Sequence, residues 1–307
     1  MPGVPSTTDD VKDLSFYIKC SIAGALACGL THTAVTPLDL IKCRRQVDAN
    51  LYKSFGDAFT KIRKAEGFGG LFLGWGPTFV GYNFQGIGKF GFYEGFKVLY
   101  PTIFGQDFYH NNKALVWAMS SASAEVFADI FLCPFEATKV RMQTSLPGKF
   151  PTTFGAALAK INADEGLNGF FKGIGPLWGR QIPYTVVKFV FFEKVAALCY
   201  KHIWTKPRES YGKGTQLQVT FISGYTAGIL CAVVSHPADT LVSKLNNIQS
   251  NESLSTNVRK IYAEIGMAGL WRGLGVRIFM IGTLTGLQWW IYDTIKTLAG
   301  LQTSGGK

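Results

Sequence analysis

The sequence predicts an all-α membrane protein of six transmembrane helices, arranged as three tandem repeats of about 100 residues with pseudo-threefold symmetry. Three short amphipathic helices complete the expected fold. Three observations lead there. Gly214–Ala238 and Cys20–Leu38 contain no Asp, Glu, Lys or Arg, and each reaches the ~20 residues that cross a bilayer. Mean hydropathy is +0.15 with 35 glycines among 307 residues, an intermediate value suited to spans that enclose a polar interior. A block of sequence also returns three times in register.

The repeated block begins with TPLDLIKCR (Thr36–Arg44), CPFEATKVR (Cys133–Arg141) and HPADTLVSK (His236–Lys244), whose prolines are 97 and 103 residues apart. EGFGGLFLGWGP, EGLNGFFKGIGP and IGMAGLWRGLGV follow. From Phe72, Phe171 and Trp271 the copies then run ungapped to Glu94, Glu193 and Asp293. One transmembrane domain, 1–307, is therefore divided into repeats 14–105, 112–204 and 214–300. Each unit reads as a proline-kinked span, a loop, an amphipathic helix and a second span. Ser54–Gly67 shows the amphipathic pattern, with Phe55, Ala58, Phe59 and Ile62 at helical spacing.

Charges inside the spans mark an interior. Glu125, Asp129 and Glu136 interrupt an apolar run, and a carboxylate at mid-bilayer costs roughly 2.5–3.5 kcal/mol on insertion scales. At about 100° per residue the three point within roughly 40° of one another, so all can face a wet cavity. The formal charge of +11 favours an anionic partner. Without a basic tract or zinc-finger spacing, that partner is an anionic solute or lipid rather than nucleic acid. The six cysteines form no CxxC pair and read mainly as small packing hydrophobes. The first twenty residues show neither a signal-peptide apolar region nor a basic transit peptide, so targeting information is expected inside the chain.

The pattern P-x-[D/E]-x-x-[K/R]-x-[K/R], followed by [D/E]-G and aromatic-[K/R]-G, resembles the mitochondrial carrier family over the whole chain. That resemblance implies an alternating-access transporter of the mitochondrial inner membrane, with its amphipathic helices on the matrix side and both termini toward the intermembrane space. It also implies a matrix gate of Asp39 with Lys139 and Asp239 with Lys42. Val242 stands at the third basic position, so Glu136 lacks its expected partner. A cytosolic gate is implied by Tyr93-Glu94…Lys97, Phe192-Glu193 and Tyr292-Asp293…Lys296. There the middle repeat has Ala196 where a base belongs.

Positions that break the threefold symmetry are where substrate is expected. Nine residues before the prolines stand Cys28, Glu125 and Gly228; five before stand His32, Asp129 and Ala232. A histidine level with carboxylates suits proton coupling, and His32, Glu125, Asp129 and Glu136 are its candidates. On the second spans Lys89, Lys188 and Gln288 are equivalent, as are Gly81, Arg180 and Met280. Lys89, Lys188 and Arg180 are expected to hold an oxyanion, helped by Gln181, Gln85, Tyr82, Thr78 and Gln288. Arg277 stays open between cavity and scaffold.

Several strings, among them THTAVTPLD and RQIPYTVVKF, resemble the phosphate carrier branch, which implies inorganic phosphate entering with a proton or in exchange for hydroxide. Some fungal members also carry copper, and this chain resembles that subgroup. Cys28, His32 and Cys231 are its possible copper ligands. A non-transporting scaffold or receptor is the alternative from another class. No catalytic constellation or strand-borne phosphate loop is present, so neither an enzyme nor a cofactor is expected. A closed barrel needs no partner, and the expected state is a monomer in contact with membrane lipid.

Overall fold

The computed structural model describes residues 13–48, 51–145, 149–171, 173–245, 254–271 and 274–305; for a few helical positions among these, including Asp239 and Val242, the backbone alone is described. The first repeat contains α1 (Leu14–Ala34), α2 (Thr36–Val47), α3 (Phe55–Gly70) and α4 (Trp75–Phe104). A short α5 (Gln106–Asn111) leads to α6 (Lys113–Thr144), α7 (Phe154–Glu165), α8 (Asn168–Phe171) and α9 (Ile174–His202). A 3-10 turn at Arg208–Ser210 precedes α10 (Lys213–Leu245), α11 (Leu254–Leu270) and α12 (Leu274–Leu298).

The long helices close a ring. In order, α1 packs on α4, α4 on α6, α6 on α9, α9 on α10, α10 on α12, and α12 returns to α1. By length and composition α1, α6 and Lys213–Pro237 of α10 can each cross a membrane. At 30, 29 and 25 residues, α4, α9 and α12 are also long enough.

Burial is inverted relative to a water-soluble bundle. On α1, Ile18, Ile22, Leu26 and Leu30 recur every fourth residue and stay exposed, whereas Ala23, Ala27 and Cys28 are fully buried. Large apolar side chains cover the outside because lipid solvates them as well as a core does. Small residues lie inside because they let helices approach closely. A Cβ on Gly86 would lie 2.2 Å from the Gly24 carbonyl oxygen where α4 crosses α1, and α12 approaches α10 through Gly282 and Gly228 in the same way.

Proline acts differently in the three copies. In the first, Val35 (φ −93°, ψ 5°) separates α1 from α2, and Pro37 lies in the opening turn of α2. Helices α6 and α10 run through Pro134 and Pro237, where the hydroxyls of Thr138 and Thr240 donate to the carbonyls of Pro134 and His236 at 2.8 and 3.0 Å. Each [D/E]-G or I-G step likewise has a backbone cause. Gly67, Gly166 and Gly266 have φ of 74°, 59° and 61° with ψ of −176°, −151° and −175°, a region essentially closed to residues with a Cβ.

The amphipathic helix α3 starts at Ser54, whose Oγ accepts from the Asp57 amide at 3.2 Å. It buries Ala58 and Ile62 with Leu40 and Ile41 of α2, Tyr52 and Leu71. Phe55 and Phe59 belong to the same sequence pattern but remain about 40% exposed. The buried stripe is thus narrower than the apolar periodicity predicts, and the two phenyl rings face outward.

Candidate functional site

The two ends of the ring differ. At one end an aromatic layer of Phe90, Tyr93, Phe189, Phe192, Trp289 and Tyr292 fills the axis, with the Phe192 and Trp289 rings stacked at 3.6 Å. Just beyond it, Lys97 Nζ lies 3.1 Å from Glu193 Oε1 and 3.9 Å from Glu94 Oε1. The Tyr93 hydroxyl also donates to Glu193, at 3.4 Å. Lys296 lies 3.9 Å from Asp293 on its own helix.

The opposite end is looser. Lys139 Nζ of α6 reaches Asp39 Oδ2 of α2 at 3.3 Å and Glu136 Oε2 of its own helix at 2.8 Å. Lys42 lines the cavity. The side chain of Asp239, its expected partner, lies outside the described residues. Glu136 is not left alone by the valine at position 242: besides Lys139, an Arg180 Nη stands 3.7 Å from its Oε1. The Asp39 and Arg180 side chains keep 30% and 34% exposure, against 5% and 0% for Glu193 and Asp293. The interior cavity reaches Asp39 and Lys42 and none of Glu94, Lys97, Glu193, Asp293 and Lys296, so it opens toward the Asp39 end.

Between the ends is a cavity of about 120 Å³, lined by Lys89, Lys188, Arg180, Gln85, Gln181 and Tyr82 among others, with His32 at its wall. Helix α4 supplies its organising face, since Tyr82, Gln85 and Lys89 succeed one another at three- and four-residue spacing. Lys89 Nζ pairs with Glu125 Oε2 at 3.0 Å and donates to Thr185 Oγ1 at 3.3 Å. One nitrogen, Gln85 Nε2, donates to Glu125 Oε1 at 2.9 Å and to Asp129 Oδ1 at 3.1 Å. Both carboxyl groups are fully buried. Asp129 Oδ2 is also buried, with no hydrogen-bond partner among the described residues.

A second chain of contacts begins at Lys188. Its Nζ donates to Gln288 Oε1 at 2.6 Å, and Gln288 Nε2 donates to Cys28 Sγ at 2.8 Å. His32 stacks on Tyr82 with ring centroids 3.7 Å apart, and its Nδ1 is 2.9 Å from the Cys28 carbonyl oxygen. His32 on α1 and the two acids on α6 thus lie on either side of α4, with its Tyr82 and Gln85 between them.

Not every expected residue reaches the cavity. Thr78 is buried, and its hydroxyl donates to the Gly74 carbonyl at 2.7 Å, which consumes its donor within its own helix. Cys28 accepts from Gln288, and Cys231 Sγ is 3.4 Å from the Tyr184 carbonyl oxygen. Among the described residues, no three His, Cys, Asp or Glu side chains converge to hold a metal ion. Two participants escape a count made from the symmetry alone, Thr185 and Tyr184. They lie three and four residues before Lys188 and therefore on its helix face, which was the available signal. Arg277 lines the cavity and donates to Ser235 Oγ at 3.2 Å.

A closed ring of six helices around buried cations and carboxyl groups, sealed at one end, defines a membrane carrier. The chain matches the family described as "Mitochondrial carrier protein" three times, over residues 13–103, 111–203 and 214–302, and it belongs to that family. It is 48% identical over 305 residues to the "Probable mitochondrial phosphate carrier protein" of Schizosaccharomyces pombe, covering 99% of this chain and 97% of the relative. With "Solute carrier family 25 member 3" of Bos taurus it shares 50% over 281 residues, covering 92% and 76%. "Mitochondrial phosphate carrier protein 3, mitochondrial" of Arabidopsis thaliana is 48% identical, covering 99% and 80%.

Proposed function

We propose that this protein carries inorganic phosphate across the mitochondrial inner membrane together with a proton, or equivalently in exchange for hydroxide, by alternating access. One observation carries the reading: the Lys89 ammonium, which lines the cavity, is held by a carboxylate that shares an amide donor with a second carboxyl group. An entering phosphate oxyanion competes with Glu125 for Lys89. As Lys89 and Lys188 turn to the anion, the Glu125–Asp129 pair loses its countercharge, and two buried carboxylates on one amide then favour taking up a proton. Anion and proton binding are thereby linked through Lys89. The relatives' printed names support phosphate as the cargo.

His32 and Glu136 connect the carboxyl pair toward the Asp39 end. Arg180, Gln181, Tyr82 and Gln288 bind or orient the anion. Asp39, Lys42, Lys139, Glu136 and Asp239 form the matrix gate; Glu94, Lys97, Glu193, Asp293 and Lys296 form the cytosolic one. The aromatic seal and buried Glu193 fit a conformation closed toward the intermembrane space, where both termini lie. The ring α1–α12 closes within one chain, which supports a monomeric transporter. No observation favours copper as cargo.

Radiolabelled phosphate uptake into liposomes holding the purified protein tests this reading, with and without an inside-alkaline pH gradient and with copper uptake measured in parallel. Gradient-stimulated phosphate uptake is the expected result. Copper uptake without phosphate uptake would overturn it.

A further inference from the structure

The third cytosolic pair is the one the repeats do not complete, because Ala196 occupies the position of a base. Its acid, Asp293, is fully buried, and a buried carboxylate without donors is costly. Yet Asp293 is well supplied. Thr220 Oγ1 donates to Oδ2 at 2.8 Å. The Ser304 amide donates to the same oxygen at 2.8 Å, and the Ser304 hydroxyl to Oδ1 at 2.8 Å. Two of these donors come from the segment that follows α12.

That segment is held in place at each step. Gly300 has φ +81°. There the chain reverses, with the Leu301 amide bonded to the Lys296 carbonyl at 2.9 Å and the Gly300 amide to that of Thr297 at 3.2 Å, a glycine-terminated helix cap. The Thr303 hydroxyl donates to Gln216 Oε1 at 3.0 Å. The Arg208 guanidinium donates to the Gly305 carbonyl at 2.8 Å and to the Thr303 carbonyl. Lys296 Nζ donates to Ser304 Oγ at 2.9 Å.

Gly305 lies against Ala196 and Phe192 of α9, so closely that a Cβ there would stand 2.6 Å from that of Ala196. The small residue at 196 and the backbone of Gly305 therefore occupy each other's space. The segment lies where a long basic side chain from α9 would run, and Ser304 supplies the donors to Asp293.

We propose that Leu301–Gly305 is a latch of the cytosolic gate, replacing the cation that the middle repeat lacks. It rests on the alternating-access reading above. Because the segment joins α12 to α9, to α10 and to the Arg208 turn, this end widens only if Ser304 leaves Asp293 or if the segment gives up Ala196, Gln216 and Arg208 together.

The test measures the gate itself rather than transport. Spin labels are placed through genetically encoded keto amino acids at Leu99 of α4 and Leu198 of α9, both exposed, so the native cysteines remain. Electron-electron distance distributions are recorded in lipid nanodiscs, and each variant's helix content is checked by circular dichroism. Ser304→Pro removes both donors and is expected to raise the widely separated population about tenfold; Ser304→Ala keeps the amide and should raise it about threefold. Ala196→Lys added to Ser304→Pro should restore the narrow distribution. If Ser304→Pro does not fold, the Ser304→Ala pair carries the same comparison.

Lys97→Ala separates the two readings. If it widens the distribution while the Ser304 variants match the parent, the latch is overturned and the gate stands. If neither Lys97→Ala nor the Ser304 variants widen it, the gate reading fails and the latch with it. A widening that Ala196→Lys leaves unchanged also overturns the latch.

Discussion

Lys89 of α4 and Glu125 of α6 meet at 3.0 Å with side-chain exposures of 4% and 0%. A pair so buried recovers little net stability from its attraction, since desolvation offsets most of it, but removing one partner strands the other. The contact thus ties a substrate ligand to the integrity of the ring.

Lys89→Ala is expected to abolish phosphate uptake and to cost about 3–5 kcal/mol of stability, because Glu125 is left uncompensated. Thermal unfolding in detergent measures the second effect. Lys89→Gln combined with Glu125→Gln should recover most of the melting temperature and none of the uptake. Full uptake by the double variant would remove Lys89 from the binding site.

Asp129→Asn retains an acceptor for Gln85 but cannot exchange a proton. Gradient-driven uptake should fall at least about tenfold, while phosphate–phosphate exchange, which needs no net proton movement, continues. Equal loss of both activities would make Asp129 a residue of packing or anion binding.

His32→Ala should weaken the response to a pH gradient more than it reduces insertion into the membrane. His32→Phe keeps a ring on Tyr82, an interaction worth about 0.5–1.5 kcal/mol, without a titratable group. If His32→Phe responds to the gradient like the parent, the imidazole serves only to pack against Tyr82.

Gly86→Ala introduces a Cβ 2.2 Å from the Gly24 carbonyl oxygen. Two backbones would have to part, and overpacking of this kind costs about 1–3 kcal/mol. The same change at Gly95, where nothing lies within 4 Å, should be close to neutral in the same melting experiment.

The architecture was legible because the sequence states it three times: the P-x-[D/E] register and the ungapped run to Glu94, Glu193 and Asp293 fix helix order and facing. Counting from those anchors places Lys89 level with Lys188 and His32 level with Asp129, with Glu125 one turn beyond. Contacts between helices follow from the closed ring and are not written in any repeat, which is why the shared Gln85 donor and Thr185 were not foreseen. Thr78 shows the converse, a residue of suitable chemistry whose hydroxyl its own helix consumes. Glu136 finds Arg180, a cation from another level of the count. The Leu301–Gly305 segment was invisible because it follows the last repeated residue and belongs to no periodic pattern.

The aromatic layer also has an electrical consequence. With the cavity connected to only one bath, most of the membrane voltage falls across that layer, and each elementary charge moved through it exchanges about 2.3 kcal/mol per 100 mV. Under the proposed scheme Glu125 balances Lys89, Glu136 balances Arg180, and a protonated Asp129 is neutral. A monovalent phosphate brings one negative charge into the cavity, and the proton on Asp129 offsets it. The proton and a monovalent phosphate leave together and their charges cancel, so the loaded and the empty carrier hold the same net charge as they cross the field. Voltage therefore does no net work on a complete transport cycle, and the phosphate and pH gradients alone drive uptake.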